Sequence, residues 1–227
     1  MKSFMYVFVA LLSFTAIAQT SSVEIEKSKL TQALNYGDKE VATNAMYNII
    51  AIEGPQSTYK DSLAYLYFNR RNYLSCYLVA QDVLQVRPNN EEILEMSAFA
   101  LESLGAGEKA IEEYQKLLTS SNSNYYAYKI SEMQYELQKY DDAFVSIQKA
   151  ASLSDEGRHV ITYQINQNYN QQVALKAAIP YLEGMIYLAK SDQSKAKVAF
   201  EKAVAAFPDF ILAKEKLNNI NEAASKN

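Results

Sequence analysis

The chain has 227 residues, 49% of them hydrophobic, and its 22 basic and 26 acidic side chains give a formal net charge of −4. This length suits one domain or one continuous array, and the acidic balance argues against a nucleic-acid partner, which would need a basic face. Cys76 and His159 are the only cysteine and histidine, so the sequence excludes an internal disulfide and predicts no zinc site. Because no GxSxG or HExxH motif is present, we expect no enzymatic activity, no cofactor and no metal.

The N-terminal residues predict export. Lys2 precedes an almost unbroken apolar run from Phe4 to Phe14, and Ala16-Ile17-Ala18 has the A-x-A pattern after which a signal peptidase cuts. We therefore expect a signal peptide at residues 1–18, cleavage after Ala18 and a periplasmic or secreted protein. The alternative is a retained N-terminal anchor, but the run is shorter than the ~20 residues of a membrane helix. No later run reaches that length, so we expect no membrane span in the mature chain.

The rest of the chain repeats itself with a period near 34 residues. Small side chains recur at Ala42, Cys76, Ala110 and Ala143, spaced by 34, 34 and 33 residues, and at Ala196 after a further 53. In four of these five units a larger residue follows four positions later, at Met46, Tyr114, Ile147 and Phe200. An offset of four places both residues on one helical face. The pattern therefore predicts paired helices that approach each other closely at the small residue.

The clearest unit covers residues 177–210. It contains Gly184, Tyr187, Ala196, Phe200, Ala203 and Pro208. These residues resemble the tetratricopeptide repeat, whose pattern is W-x2-L-G-x2-Y…A-x3-F…P with a period of 34, although this chain has no tryptophan. The resemblance implies an all-α fold, a right-handed helix-turn-helix solenoid of about five repeats closed by a C-terminal capping helix. The implied repeats are residues 23–56, 57–90, 91–123, 124–157 and 177–210, and the capping helix is 211–224.

Residues 158–176 interrupt this period. Ile161, Tyr163 and Ile165 alternate with polar residues before an Asn-rich string, and Val173 and Leu175 alternate in the same way after it. Alternation on both sides of a polar turn predicts a short β-hairpin. The alternatives are a long irregular loop, or a following helix that extends back to residue 171.

The resemblance also implies a binding surface, because in this family the first helices of successive repeats line a concave groove whose side chains select the ligand. In this sequence the groove positions hold Asp61, Tyr65, Phe68, Glu92, Glu95, Phe99, Glu102, Tyr128, Glu132 and Tyr135. Aromatic and acidic side chains suit a protein or peptide segment that is basic and apolar. The Lys, Asn and Arg of the family's carboxylate clamp are absent from these positions. The alternatives are aromatic residues that only pack in the core and glutamates that only face solvent.

Taken together, these features predict an adaptor or scaffold of the cell envelope that binds a partner segment in the concave groove. The second hypothesis is a structural module that assembles into homo-oligomers through its terminal faces or its hairpin. A third, a hydrolase using Cys76 or His159, has no supporting motif.

Overall fold

The computed structural model describes residues 22–154, 157 and 159–225, so the predicted signal peptide lies outside the described residues. Within these ranges the helices are α1 (22–35), α2 (Lys39–Glu53), α3 (Tyr59–Asn69), α4 (Tyr73–Val86), α5 (Glu91–Ser103), α6 (Gly107–Ser121), α7 (Asn124–Glu136), α8 (Tyr140–Ser152), α9 (Leu175–Ala189), α10 (Gln193–Ala206) and α11 (Ile211–Ser225). The strands are β1 (Val160–Asn166) and β2 (Tyr169–Ala174). No helix of the described part is both long and apolar enough to cross a membrane.

The helices and strands form two compact units. The first ends at Leu104 and contains α1 to α5, and the second begins at Gly105 and contains α6 to α11 with the hairpin. Within each unit neighbouring helices pack in pairs, α3 with α4 in the first unit and α7 with α8 and α9 with α10 in the second. Helices of 11 to 15 residues need this packing, because an isolated helix of that length is marginal in water.

One type of turn recurs after α1, α3, α5, α7 and α9. Two positions after the ends of α1, α3, α5, α7 and α9 the backbone is left-handed, at Gly37, Arg71, Gly105, Gln138 and Ser191, with φ between 56° and 73°. In four of these turns the next N–H bonds the carbonyl five residues earlier, at 2.8 to 3.0 Å, in the pairs Asp38–Ala33, Asn72–Tyr67, Lys139–Gln134 and Asp192–Tyr187. This hydrogen bond is typical of an α-helix that ends with one residue in the left-handed conformation. The turn recurs at the same spacing as the small residues of the sequence pattern.

The residue after the left-handed position is the N-cap, which immediately precedes the next helix. Asp38, Asn72 and Asp192 each accept a hydrogen bond from the backbone N–H three residues later, at 3.0, 3.4 and 3.1 Å. A side-chain acceptor at this point satisfies one of the unpaired N–H groups at the start of a helix. Ala106 and Lys139, at the equivalent positions, provide no such bond. A side-chain cap is therefore present at three of the five helices that follow these turns.

The recurring small residues are buried. Ala42, Cys76, Ala110, Ala143 and Ala196 are each 0% exposed. Burial raises the pKa of the Cys76 thiol to about 11, so this thiol is protonated near neutral pH and is a poor nucleophile. Cys76 is therefore a packing residue, as its place in the repeat predicts.

The β-hairpin predicted for the insert is confirmed. Strands β1 and β2 pair antiparallel from Val160–Ala174 to Asn166–Tyr169, with an irregularity between Gln164 and Asn166. The following helix, α9, begins at Leu175. The segment therefore forms neither an irregular loop nor a helix that reaches back to residue 171.

The hairpin packs on the second unit through one face. Ile161 and Val173 are 9% and 1% exposed. The ring centroid of Tyr163 lies 5.3 Å from that of Tyr181 in α9 and 5.1 Å from that of Phe210. The opposite face is exposed and carries Val160 together with the polar side chains of Thr162, Gln164 and Gln172, as expected for an antiparallel sheet with one face in water.

Gln171 connects strand β2 to the start of α11. Its side chain is buried, its Nε2 donates to the backbone oxygen of Asp209 at 2.6 Å, and its Oε1 accepts from the backbone N–H of Ile211 at 3.1 Å. The first N–H groups of a helix have no partner within the helix. The Gln171 amide therefore caps α11 from a position 40 residues earlier in the chain.

Candidate functional site

A cleft of about 750 Å³ opens in the first unit between α1, α3 and α5. It is lined by Leu30, Leu34, Met46, Tyr59, Asp61, Ser62, Tyr65, Leu66, Asn69, Glu92, Ile93 and Met96. Its floor consists of the buried side chains of Leu30, Met46, Ile93 and Met96. A volume of this size accommodates a few side chains of a ligand and falls in the range of protein binding pockets.

Two large side chains stand exposed at the edge of this cleft. Leu34 on α1 is 52% exposed and Tyr65 on α3 is 56% exposed. Each lies four residues after another lining residue of its helix, Leu30 and Asp61 respectively, so each pair shares one helical face. The helix register therefore places an apolar and an aromatic side chain beside the apolar floor.

Asp61 is held by residues of the α4–α5 connection. Arg87 donates from Nη1 to Oδ2 at 2.7 Å and from Nη2 to Oδ1, and Asn90 donates from Nδ2 to Oδ2 at 3.4 Å. Asn90 also accepts a hydrogen bond from the backbone N–H of Ile93 and so caps α5. Arg87 and Asp61 form a bidentate ion pair, in which the guanidinium balances the negative charge of the carboxylate. The role of Asp61 is to fix α3 against the start of α5.

Glu92 supplies the unpaired negative charge of the cleft. It is exposed in the first turn of α5, and its carboxylate has no hydrogen bond or ion pair to any residue that the structure describes. The described lining residues include no lysine or arginine. The cleft therefore combines an apolar floor with one free carboxylate.

Two predicted groove residues of the first unit pack against each other outside the cleft lining. The ring centroids of Phe68 and Phe99 are 5.2 Å apart, and those of Phe99 and Tyr73 are 5.8 Å apart. All three side chains are half-buried, as are those of Glu95 and Glu102. Phe68 and Phe99 thus connect α3, α4 and α5 through aromatic packing.

The placement of Tyr128 on a groove surface requires correction. Its side chain is 1% exposed in the core of the second unit. Its hydroxyl donates to Oε1 of Glu132 at 3.1 Å and lies 3.1 Å from the hydroxyl of Tyr163 in the hairpin. Burial, together with the nearby Glu132 carboxylate, raises the pKa of Tyr128 well above its ordinary value. Tyr128 therefore cannot contact a partner unless the core opens.

The remaining predicted residues of the second unit also have neighbours. Glu132 accepts from Tyr128 and from the buried Lys129. Tyr135 is half-buried, 5.6 Å from Tyr140 between ring centroids, and burial raises its pKa. Of the ten predicted groove residues, the cleft in the first unit thus brings together Asp61, Tyr65 and Glu92.

Several lining residues were missed by sequence reasoning. Leu30, Leu34 and Met46 belong to α1 and α2, where the repeat pattern is weakest. The only available signal was the apolar pair of Leu30 and Leu34 at helical spacing, which also marks an ordinary core face. Across the described ranges, no three His, Cys, Asp or Glu side chains come together as metal ligands. The described arrangement offers contacts for binding, with an apolar floor and a free carboxylate.

No protein-family model and no curated protein sequence matches this chain. Among solved structures, the crystal structure of YrrB, described as a TPR protein with an unusual peptide-binding site, has a TM-score of 0.65 and 16% identity. The match covers 87% of this chain and 96% of YrrB. MamA 41-end from Desulfovibrio magneticus RS-1 gives a TM-score of 0.63 at 14% identity over 84% of this chain and 97% of that one. Another MamA crystal structure gives 0.59 at 20% identity, over 74% and 82%. These similarities confirm the all-α helical-repeat fold, and the hairpin insert is a feature of this chain's own structure.

Proposed function

We propose that this chain, which has the tetratricopeptide-repeat fold, is an adaptor that binds a segment of another protein in the cleft between α1, α3 and α5. The observation that carries the proposal is an apolar floor bordered by the exposed side chains of Tyr65 and Leu34. Exposed apolar surface around a concave site is typical of a place where a ligand binds. The description of YrrB as having a peptide-binding site supports a peptide as the ligand.

The chemistry of the cleft defines the proposed segment. An aliphatic or aromatic side chain fits the floor made by Leu30, Ile93 and Met96. A lysine or arginine nearby in the segment would pair with Glu92, and the Tyr65 ring can attract the same cation. The proposed ligand is therefore a short segment that carries an apolar anchor within a few residues of a basic one.

The test selects ligands from a displayed library of random peptides on the chain without residues 1–18. Selected peptides should be enriched in an apolar residue close to lysine or arginine. Tyr65→Ala should then weaken binding by about 2 kcal/mol, as for an aromatic anchor at an interface. Glu92→Lys should mainly slow association, and added salt should reduce this effect.

Two matched controls separate the cleft from the general surface. Glu91 is exposed beside Glu92 but does not line the cleft, and Tyr36 is 82% exposed away from it. Glu91→Lys and Tyr36→Ala should leave peptide affinity nearly unchanged. If the selected peptides bind Tyr65→Ala and Glu92→Lys as well as they bind the unmodified chain, the cleft is not the binding site.

The proposed place of action is the cell envelope. The support is the basic start, the apolar run and the A-x-A pattern within residues 1–18. Fractionation of cells that produce the full chain should find the protein outside the cytoplasm, and N-terminal sequencing should begin at Gln19. An uncleaved chain bound to the membrane would contradict this proposal.

A further inference from the structure

The hairpin is a rigidly held surface on the second unit, and its described edges are open. Its inner face is fixed by the burial of Ile161 and Val173 and by the bonds of Gln171 to the start of α11. Within the part of the chain that the structure describes, each strand pairs only with the other. Among the described residues, neither strand exchanges a backbone hydrogen bond with a third segment. The outer edges therefore carry backbone donors and acceptors that another strand can use.

These edges lack the usual protection against pairing. Natural edge strands carry charged side chains, proline or other features that prevent edge-to-edge association. Residues 159–175 contain no Asp, Glu, Lys, Arg or Pro, although 21% of the whole chain is charged. Strand β1, with the sequence VITYQIN, is rich in β-branched and aromatic residues, which favour strands. Of the two strands, β1 is the longer and the more prone to pair.

We propose that β1 pairs antiparallel with β1 of a second copy of this chain, so that two hairpins form one four-stranded sheet across a two-fold axis. Each copy has a net charge of −4, so two copies repel each other overall. An uncharged surface adds least to this repulsion and is therefore the favoured place of contact. The side chains of Thr162 and Gln164 are exposed, and each is able both to donate and to accept a hydrogen bond. Such side chains complement their own copies, which is the requirement of a two-fold interface.

The joined sheet is compatible with the burial pattern of each hairpin. Exposed and less exposed residues alternate along β1, with Val160, Thr162 and Gln164 exposed and Ile161 buried. Antiparallel pairing keeps this alternation, so the outer faces of both copies remain in water. The pairing therefore needs no rearrangement of either core. This inference is independent of ligand binding in the cleft, which belongs to the first unit.

The first experiment places charges on the edge strand and measures the oligomeric state. Sedimentation from about 1 µM to about 200 µM should show a monomer–dimer equilibrium for the chain without residues 1–18. Because like charges opposite each other oppose strand pairing, the double variant Thr162→Lys with Gln164→Lys should weaken dimerisation by about tenfold or more. Gln172→Lys is the matched control, since Gln172 is exposed and pairs with Thr162 inside the hairpin but lies on β2. It should change the dimerisation constant much less.

The second experiment tests the register with single cysteines at the four exposed positions Val160, Thr162, Gln164 and Asn166. The native Cys76 is buried and its pKa is raised to about 11, so it should not compete. A residue that lies two positions from the two-fold axis is offset from the same residue of the second copy by four residues. This offset is about 13 Å along the strand. This exceeds disulfide reach, so cross-linking should be strongest nearest the axis and poor at positions further away.

Three results would overturn the proposal. The first is a chain that stays monomeric over the whole concentration range. The second is an oligomer that the double lysine variant leaves intact while thermal melting shows that it is folded, because assembly then uses another surface. The third is equal cross-linking at all four cysteine positions, which indicates random collision. A monomer whose β1 edge binds an extended peptide instead would assign the edge to a different partner.

Discussion

The aromatic ring of Phe200 lies against Gly184 and leaves no room for a side chain at that position. A Cβ atom on residue 184 would lie 2.6 Å from Cε1 of Phe200 and 2.8 Å from Cδ1. Both residues are buried, Gly184 in α9 and Phe200 in α10. The close approach of these two helices therefore depends on the missing side chain.

Gly184→Ala should destabilise the protein by about 1–3 kcal/mol, because overpacking forces the ring or a helix to move. Denaturant unfolding measures the change. Gly107→Ala is the matched control, since its added Cβ would meet Leu137 at 3.4 Å, an ordinary contact. Replacing the ring as well, in Gly184→Ala with Phe200→Leu, should recover part of the loss because the two sites are in contact. Equal stability of Gly184→Ala and the unmodified chain would show that the two helices are not held at this distance.

The left-handed turn residues predict stabilising substitutions. Arg71, Gln138 and Ser191 are exposed and have φ of 56°, 60° and 62°, a conformation that costs most side chains about 1–2 kcal/mol. Glycine relieves this strain but loses more entropy on folding. We expect Gln138→Gly and Ser191→Gly to stabilise by about 0.5–1 kcal/mol net, measured by thermal melting. Gly37→Ala, the reverse change at φ 71°, should destabilise. If Gln138→Gly and Ser191→Gly lowered the melting temperature and Gly37→Ala raised it, backbone strain would not determine the stability of these turns.

Gln171→Leu should test the connection between the hairpin and α11. The substitution leaves the backbone oxygen of Asp209 and the N–H of Ile211 without their side-chain partner. Both hydrogen bonds are partly buried, and a typical hydrogen bond contributes about 0.5–1.5 kcal/mol, so unfolding should occur at lower denaturant concentration. Gln172→Leu is the control on the neighbouring exposed residue and should have little effect. Similar stability of both variants would mean that water replaces the Gln171 amide without loss.

Tyrosine burial predicts a loss of stability at alkaline pH. Burial is the main cause that raises the pKa of Tyr128, Tyr163 and Tyr181, the last to about 12. In the unfolded chain these groups ionise near their ordinary pKa of about 10. Their contribution is therefore fully present below about pH 10 and falls as pH rises from there toward the folded-state values, by up to about 1.4 kcal/mol per pH unit for each proton retained. Urea unfolding between about pH 8 and pH 11 measures this slope.

The comparison of two phenylalanine variants assigns the alkaline effect. Tyr128→Phe removes one buried titrating group and should make the slope shallower above about pH 10. Tyr36→Phe changes a side chain that is 82% exposed and should leave the slope unchanged. An unaltered slope in Tyr128→Phe would indicate that other groups cause the alkaline loss.

The helix pairs and the hairpin could be predicted because their signals are local. Small residues at a regular spacing and a change to alternating residues depend only on nearby sequence. The groove could not be predicted in the same way, because exposure depends on what packs above a helix. Tyr128 is covered by Tyr163 of the hairpin, a contact between residues 35 positions apart.

Aligning the repeats on their left-handed turns separates Tyr128 from Tyr65 and Phe99. Counted back from the left-handed turn residues, Tyr65 and Phe99 stand six positions before Arg71 and Gly105. Tyr128 stands ten positions before Gln138, as Asp61 does before Arg71. Tyr128 therefore occupies the repeat position of Asp61 and not that of Tyr65. The turn, once recognised as left-handed at non-glycine residues, gives the more reliable register.

The bond between Gln171 and the start of α11 has a consequence for local opening. A C-terminal helix usually frays, and its amides exchange with solvent faster than those of the core. Because α11 is capped by a buried side chain of β2, the helix cannot release its first turn without losing a contact that the hairpin also needs. The amides of β2 and of the first turns of α11 should therefore exchange at similar rates, as one cooperative segment. The chain's last helix is thereby tied to an insert that comes before the final helix pair.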